Sequence, residues 1–320
     1  MSKKVLVCGA SGFIGRNIFE ALSLRSDLEV FGTYQTFFTT EPSLNPRKFW
    51  TDLTKKFEAC HVTKGMDVVI HAAAVTAGFK AVSANPGFFV PDNIVMNTRL
   101  LEAAYDNKVG HFIFLSCTVL YPMNLDRQLS EEDTDFNSID PAYRIAWIKI
   151  IGEKLCEFYG NLGRTKFTVV RHSNIYGPYD KYDLERAHIF GALIARIADA
   201  PEGGNIEIWG EGSEKRDLLH VSDLVRFIET AIETEERKPC EIYNVGSGKV
   251  ISVLELAEKI IQLSGKKLSI THNYERNKRP LSVAIDITKA KRMFGWEPKV
   301  TLEEGIKNTL EWYLQHKSSL

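Results

Sequence analysis

The chain has 320 residues, 44% hydrophobic and 25% charged, with a formal net charge of −1 at pH 7. That balance is ordinary for a soluble globular protein and excludes a general attraction to nucleic acid or an anionic membrane; no apolar run approaches the roughly 18 residues of a membrane span. No leader pattern opens the chain, and Cys8, Cys60, Cys117, Cys156 and Cys240 show neither paired nor metal-ligand spacing, so the expectation is a cytoplasmic protein without disulfides or a bound metal.

The apolar run Lys4–Cys8 reads as a buried parallel strand that ends in Gly9-Ala10-Ser11-Gly12-Phe13-Ile14-Gly15 and then becomes helical from Asn17. Gly9 permits a tight strand-to-helix turn, Gly12 leaves room for a pyrophosphate, and Gly15 lets the helix pack close. The N–H groups at the start of that helix then face the phosphates, with Ser11, Phe13 and Ile14 beside them. Dinucleotide binding is the reading. A plain tight turn is the bland alternative.

A second strand, Glu29–Tyr34, follows. An NAD site commonly carries an acid at this strand end. Tyr34 stands there instead, with no Asp or Glu close behind, which tilts the choice between NADP and NAD toward NADP. Arg47 and Lys48 would serve a 2′-phosphate if the loop Thr36–Asn45 folds back. Asp52 and Leu53 meet the adenine or form a surface turn. Met66–His71 is the next strand, and His71, Ala72 and Ala73 leave it with small residues that let backbone approach the cofactor. His71 reads equally as a satisfied loop histidine.

Asn93–Asn107 has helical spacing, and His111–Leu115 is a buried strand that delivers Ser116, Cys117 and Thr118 at its carboxyl end, where chemistry collects in open α/β sheets. Pro141–Tyr159 is helical with Tyr143 in its first turn. Phe167–Arg171 is a strand, followed by His172-Ser173-Asn174-Ile175-Tyr176-Gly177-Pro178. Strands alternate with helices this far, so the fold class is α/β, a Rossmann-like doubly wound parallel sheet. Residues 1–177 would form the NAD(P)-binding domain. Residues 178–320 would form mainly a smaller substrate-binding lobe, with some segments returning to the sheet. In this second part His188–Ala200, Val221–Thr234, Val253–Leu263 and Leu302–Tyr313 read as helices, and Asn205–Trp209 and Glu241–Val245 as strands.

Taken together, the glycine turn, His71-Ala72-Ala73, Tyr143 before a helix, Asn174–Pro178, Trp209-Gly210-Glu211-Gly212, Arg216-Asp217 and Tyr243–Gly248 resemble the extended short-chain dehydrogenase/reductase family of nucleotide-sugar epimerases, dehydratases and reductases. Asp92–Asn97, Cys117–Pro122 and Arg186–Ile189 are similar to its GDP-L-fucose synthase branch. The resemblance implies NAD(P) as cofactor, a nucleotide-diphosphate sugar as substrate and a homodimer. It implies Tyr143 as the phenol that moves the sugar's proton. Cys117, or Thr118 beside it, takes the place of the Ser or Thr that binds the same oxygen. Asn174, Trp209 and Arg216 would bind substrate, Arg216 through the diphosphate. His188 would bind substrate and act as acid, and His172 would sit near the nicotinamide. The plainer alternatives are packing for Trp209, a buried hydrophobe for Cys117 and a helix-capping surface residue for His188.

The resemblance also has breaks. The family's tyrosine is followed four residues later by a lysine on the same helix face. Counted from Tyr143, that place holds Trp147, and Lys149 falls off the face. Val119 stands where the branch has its epimerisation cysteine. Three readings follow: an active reductase or epimerase with an altered catalytic set, a protein that binds cofactor and nucleotide sugar with little turnover, and non-redox chemistry through Cys117.

Overall fold

The computed structural model describes residues 2–35, 47–75, 87, 89–122, 127–136, 144–185, 187–235, 238–276 and 282–320. Tyr143, Arg186 and the loop Thr36–Asn45 lie outside the described residues. The strands are β1 (Lys3–Cys8), β2 (Leu28–Tyr34), β3 (Lys48–Trp50), β4 (Val68–His71), β5 (His111–Cys117), β6 (Gln128–Leu129), β7 (Lys166–His172), β8 (Asn174–Tyr176), β9 (Asn205–Trp209), β10 (Lys215–His220), β11 (Cys240–Val245), β12 (Val250–Ser252), β13 (Ser269–Asn273) and β14 (Ala284–Ile285). The helices described are α1 (Phe13–Ser23), α2 (Lys56–Thr63), α3 (Val90–Asp106), α4 (Arg144–Asn161), α5 (Ile189–Asp199), α6 (Val221–Glu233), α7 (Val253–Ser264), α8 (Thr288–Phe294) and α9 (Leu302–His316).

Seven strands form one sheet in the order β11-β7-β5-β4-β1-β2-β3, and every pairing in it is parallel. The order reverses between β1 and β4. A crevice therefore opens above their carboxyl ends, the place where ligands bind in such sheets. Alternation along each strand splits the core in two. Val5, Val7, Ile70 and Leu115 pack with α1 and α6 on one face. Leu6, Val69, Phe112 and Phe114 pack with α2, α3 and α4 on the other. Each such fully buried side chain contributes about 1.5–3 kcal/mol relative to exposure.

A second core lies under α5, α7 and α9, with Ile206 and Ile208 of β9 and Leu218 of β10. It carries the small sheets β12-β10-β8 and β13-β9. Two pieces of the second half return to the main sheet: β11 pairs with β7, and α6 packs in the first core beside α1. The short pieces β3, β8, β10, β12 and α2 were not legible as separate elements, because each is too brief to show a period. No helix among the described residues is long and apolar enough to cross a membrane.

Candidate active site

The glycine turn sits at the carboxyl end of β1. Gly9 has φ +81°, and a Cβ there would lie 2.6 Å from Ala73 Cα. The turn from β1 and the exit from β4 therefore touch, which brings Gly9, Ala72 and Ala73 together. Gly9 N–H donates to Thr33 Oγ1 at 3.1 Å and Ala72 N–H to Cys8 O at 3.0 Å. A Cβ on Gly15 would lie 2.2 Å from Gly9 O, so packing alone requires that glycine. Gly12 differs. It is exposed, and among the described residues its Cβ would meet only Gly9 O, at 3.4 Å. The protein's own packing does not demand glycine there, but a diphosphate crossing the turn does. Gly12 is also the N-cap of α1 with no side-chain cap, and no acid stands in the first turn. The first N–H groups of α1 are thus presented to an anion. Ser11, Phe13 and Ile14 are half-buried around them. These residues fit a dinucleotide.

The adenosine end is less open. Tyr34 ends β2. The Asp52 carboxylate accepts from Thr54 N–H (3.0 Å) and Oγ1 (2.6 Å), and those bonds hold it below the usual carboxylate range. Leu53 is buried in the core. The side chains of both therefore serve the turn that opens α2, the bland alternative read from sequence. Arg47 does not reach Tyr34 from β3: Gly32 pairs with Lys48 in the parallel ladder, and Arg47 Nη2 lies 4.0 Å from Glu29 Oε1, toward the amino end of β2.

His71 closes β4. Its Nε2 lies 2.8 Å from Asn97 Oδ1, and the ring is 3% exposed against Phe112 and Phe114. Burial pushes its pKa down to about 4. It is a neutral core histidine under the cofactor crevice, and its Nδ1 has no hydrogen-bond partner among the described residues. Asn93, one turn before Asn97 on α3, bonds both Val75 N–H (3.0 Å) and Val75 O (2.9 Å). The two asparagines pin the strand exit. Buried polar residues four apart on a helix were the signal for them.

Cys117 ends β5 in register with His172 at the end of β7. In-register partners of a parallel pair point to the same face. Thr118 opens a single 3-10 turn, Thr118–Leu120, beside them. Burial raises the Cys117 thiol above its ordinary value, and Lys149 opposes that shift. His172 Nδ1 lies 2.8 Å from Ser173 O, and burial pushes its pKa down to about 4.

Lys149 corrects the sequence reading. Its Nζ donates to Leu115 O at 2.6 Å and lies 5.2 Å from the Phe114 ring centroid. Its charge acts on Cys117, His71 and His172 alike. Burial pushes its own pKa down. Trp147 is 45% exposed on the outer side of α4. The reason is helical phase: at about 100° per residue, positions 147 and 149 point to nearly opposite sides. The phase is fixed by Gly152, whose Cβ would lie 2.3 Å from Phe114 Cζ, and by the buried Glu153 and Cys156. Lys149 is therefore turned toward the carboxyl ends of β5 and β7, and Trp147 lies on the opposite side of α4. One turn before Lys149 stands Ile145, which has no ionisable proton to transfer.

The substrate side comes from the second half. Asn174 of β8 and Arg216 of β10 share one small sheet, with Asn174 paired to Leu218. Asn174 Nδ2 donates to Asp217 O at 3.1 Å. Arg216 Nη2 lies 3.4 Å from Glu214 Oε2. Asp217, 1% exposed, accepts from Ser247 N–H, Ser247 Oγ and Gly248 N–H at 2.8–3.0 Å. It fixes the Ser247 turn beside Arg216, a role sequence reasoning missed. His188 is the exposed N-cap of α5 and makes no side-chain cap bond. It lies close enough to His172 to lower that ring's pKa further. Trp209 ends β9 on the separate β9–β13 sheet.

The NAD dependent epimerase/dehydratase family model matches residues 5–246. The chain is 31% identical to the GDP-L-colitose synthase of Yersinia pseudotuberculosis, over 99% of each chain. It is 28% identical to the GDP-L-fucose synthase of Escherichia coli K12, over 99% of this chain and 98% of that one. It superposes on the Bacillus cereus UDP-glucuronic acid 4-epimerase, solved with UDP-glucuronic acid and NAD, with a TM-score of 0.83 and 25% identity, over 98% of this chain and 99% of the other. With the phosphate cradle at the β1–β4 reversal and the match running through the main sheet, the chain belongs to the NAD dependent epimerase/dehydratase family.

Proposed function

We propose that the protein is an NAD(P)-dependent enzyme that reduces or epimerises a nucleotide-diphosphate 4-keto-6-deoxy sugar with an altered proton-handling set. The observation that carries this is the cradle: among the described residues only Gly9 O approaches the open side of Gly12, at the start of an uncapped α1, while α4 brings the Lys149 ammonium to the carboxyl end of β5. The relatives named as GDP-L-colitose and GDP-L-fucose synthases support the deoxysugar class.

A bound NAD(P) would supply or accept the hydride. Ser11 to Gly15 and the start of α1 would hold its diphosphate, and Lys149 its nicotinamide ribose. Arg216 would take the sugar's diphosphate in a bidentate contact, with Asp217 and Asn174 fixing the sheet around it. Cys117 and Thr118 would bind the reacting oxygen. The Cys117 thiol stays protonated, so it is a weak donor and not a base. Tyr143 remains the candidate phenol, and His188 the candidate acid facing the second half. His172, neutral, would border the nicotinamide. We place its site of action in the cytoplasm, on the unpaired spacing of its five cysteines in the sequence. A stripe of Trp147, Ile151 and Phe158 on the outer face of α4 supports a homodimer built through that helix.

A second reading is favoured by one residue. Ile145 occupies the position one turn before Lys149, so the protein would bind both ligands and turn over poorly. The test is loss of absorbance at the NAD(P)H band with a panel of nucleotide 4-keto sugars. Oxidation with any of them supports the enzyme. Tight NAD(P)H binding without oxidation, with turnover gained by Ile145→Tyr, supports the second reading.

A further inference from the structure

One buried ion pair ties the ends of β5 and β7 to the helix that carries Lys149, and no role has been given to it. Glu153 and Arg171 are 3% and 1% exposed. Arg171 Nε and Nη2 donate to the two Glu153 oxygens at 3.0 and 2.7 Å. The remaining Arg171 nitrogen, Nη1, donates to Tyr121 OH (3.1 Å), Glu131 O (2.9 Å) and Thr134 Oγ1 (2.5 Å). Glu153 Oε1 also accepts from Ser116 Oγ at 2.5 Å. Tyr121 OH in turn donates to Asn244 Oδ1 of β11 at 2.6 Å.

We propose that the Glu153–Arg171 pair is the positioning device of the site, acting through Lys149 and the Cys117–His172 strand ends. The inference rests on the dinucleotide reading above. Its logic is geometric. Glu153 lies one helical turn after Lys149 on the same face of α4. Arg171 immediately precedes His172, and Ser116 immediately precedes Cys117. A planar guanidinium with five fixed donors ties these three segments in set directions. Lys149 then has Leu115 O as its hydrogen-bond acceptor and the Glu153 charge one turn along the same face. Stability alone does not account for the pair. Replacing a buried ion pair by apolar residues of similar volume is often neutral or stabilising, whereas removing one partner is not. What an apolar replacement loses is direction.

The experiment uses the whole chain and NAD(P)H fluorescence as the binding probe, with melting temperature measured without ligand. The double variant Glu153→Leu/Arg171→Met is expected to melt near the parent and to bind NAD(P)H about tenfold more weakly, as Lys149→Met does. Adding Lys149→Met to the double variant is expected to cost nothing further, because the pair acts through that lysine. A folded double variant with parent affinity overturns the proposal, and so do losses that multiply in the triple variant. If the double variant fails to fold, Glu153→Gln decides. It keeps the shape and the Ser116 acceptor. A weaker affinity that does not combine with Lys149→Met supports the proposal, and an unchanged affinity overturns it. A parent that binds no NAD(P)H overturns the dinucleotide reading itself, an outcome distinct from the others.

Discussion

Alanine at Gly12 and alanine at Gly15 separate what the first turn does for folding from what it does for a ligand. Gly15 lies where α1 crosses the turn, and its Cβ would sit 2.2 Å from Gly9 O and 2.8 Å from Gly9 C. Both atoms are backbone, so the helix must back away by about 1 Å, and overpacking of this kind costs about 1–3 kcal/mol. Gly12 has φ −81° and ψ 165°, which alanine adopts freely, and its Cβ meets nothing closer than 3.4 Å. Replacing a glycine N-cap by alanine costs about 0.5–1 kcal/mol, and stiffening the unfolded chain returns about 0.4–1 kcal/mol. Gly12→Ala is therefore expected to melt within about 2 °C of the parent. The added methyl points into the space a diphosphate crosses, so NAD(P)H affinity should fall by about 100-fold, or about 2.7 kcal/mol. Thermal melting and fluorescence titration of both variants give the answer. Parent-like NAD(P)H binding by a folded Gly12→Ala refutes the reasoning, because the open side of the turn would then hold no phosphate. A Gly15→Ala protein as stable as the parent refutes the packing half of it.

Other outcomes follow from groups at the site. His71 is held neutral with a pKa of about 4 against an ordinary 6.5. The unfolded chain therefore binds the extra proton first, and stability is present above pH 6.5 and lost as pH falls toward 4. Between pH 7 and pH 4.5 that loss is about 2 kcal/mol. Urea unfolding of His71→Gln should lack this share of the acid destabilisation, and equal pH slopes in the two proteins would remove His71 as its source. Arg216→Ala should weaken nucleotide-sugar binding by about 2–4 kcal/mol by calorimetry, with melting temperature nearly unchanged. An unaltered dissociation constant would take Arg216 out of the site. Trp147→Lys should leave NAD(P)H binding intact and shift a dimer toward monomer in sedimentation, since the side chain lies on the outer face of α4. Loss of cofactor binding with no change of mass would return Trp147 to the site.

The parallel sheet was legible because its central strands β1, β4, β5 and β7 carry continuous apolar runs, as buried parallel strands do. The cradle was legible because glycine spacing reports backbone geometry directly. The α4 register was not. Counting forward from Tyr143 gave Trp147, whereas the phase of a helix is set by what it packs against, here Phe114 under Gly152 and Arg171 on Glu153. A contact between residues 38 positions apart leaves no mark on local spacing. The same holds for Asp217, whose partners Ser247 and Gly248 arrive thirty positions later, and for Asp52, whose use in a turn depends on where α2 begins. Short strands such as β8 and β10 exist because they pair with each other, so their neighbours in space define them and their own sequence does not.

The return of β11 and α6 to the main sheet has a consequence for how the chain is made. β7 ends at His172 and β11 begins at Cys240. While the intervening residues are being synthesised, β7 presents an unpaired parallel edge. One face of β1, β4 and β5 also lacks α6, and Trp296, which donates to Asp223 O at 3.1 Å, comes later still. Pairings across such separations form slowly, and an open edge with a half-covered core is the state in which nascent chains associate wrongly. The phosphate cradle is thus among the first parts written and among the last to be secured. A fragment stopping at Gly177 would carry every glycine of the turn and still lack the layer that holds it in shape.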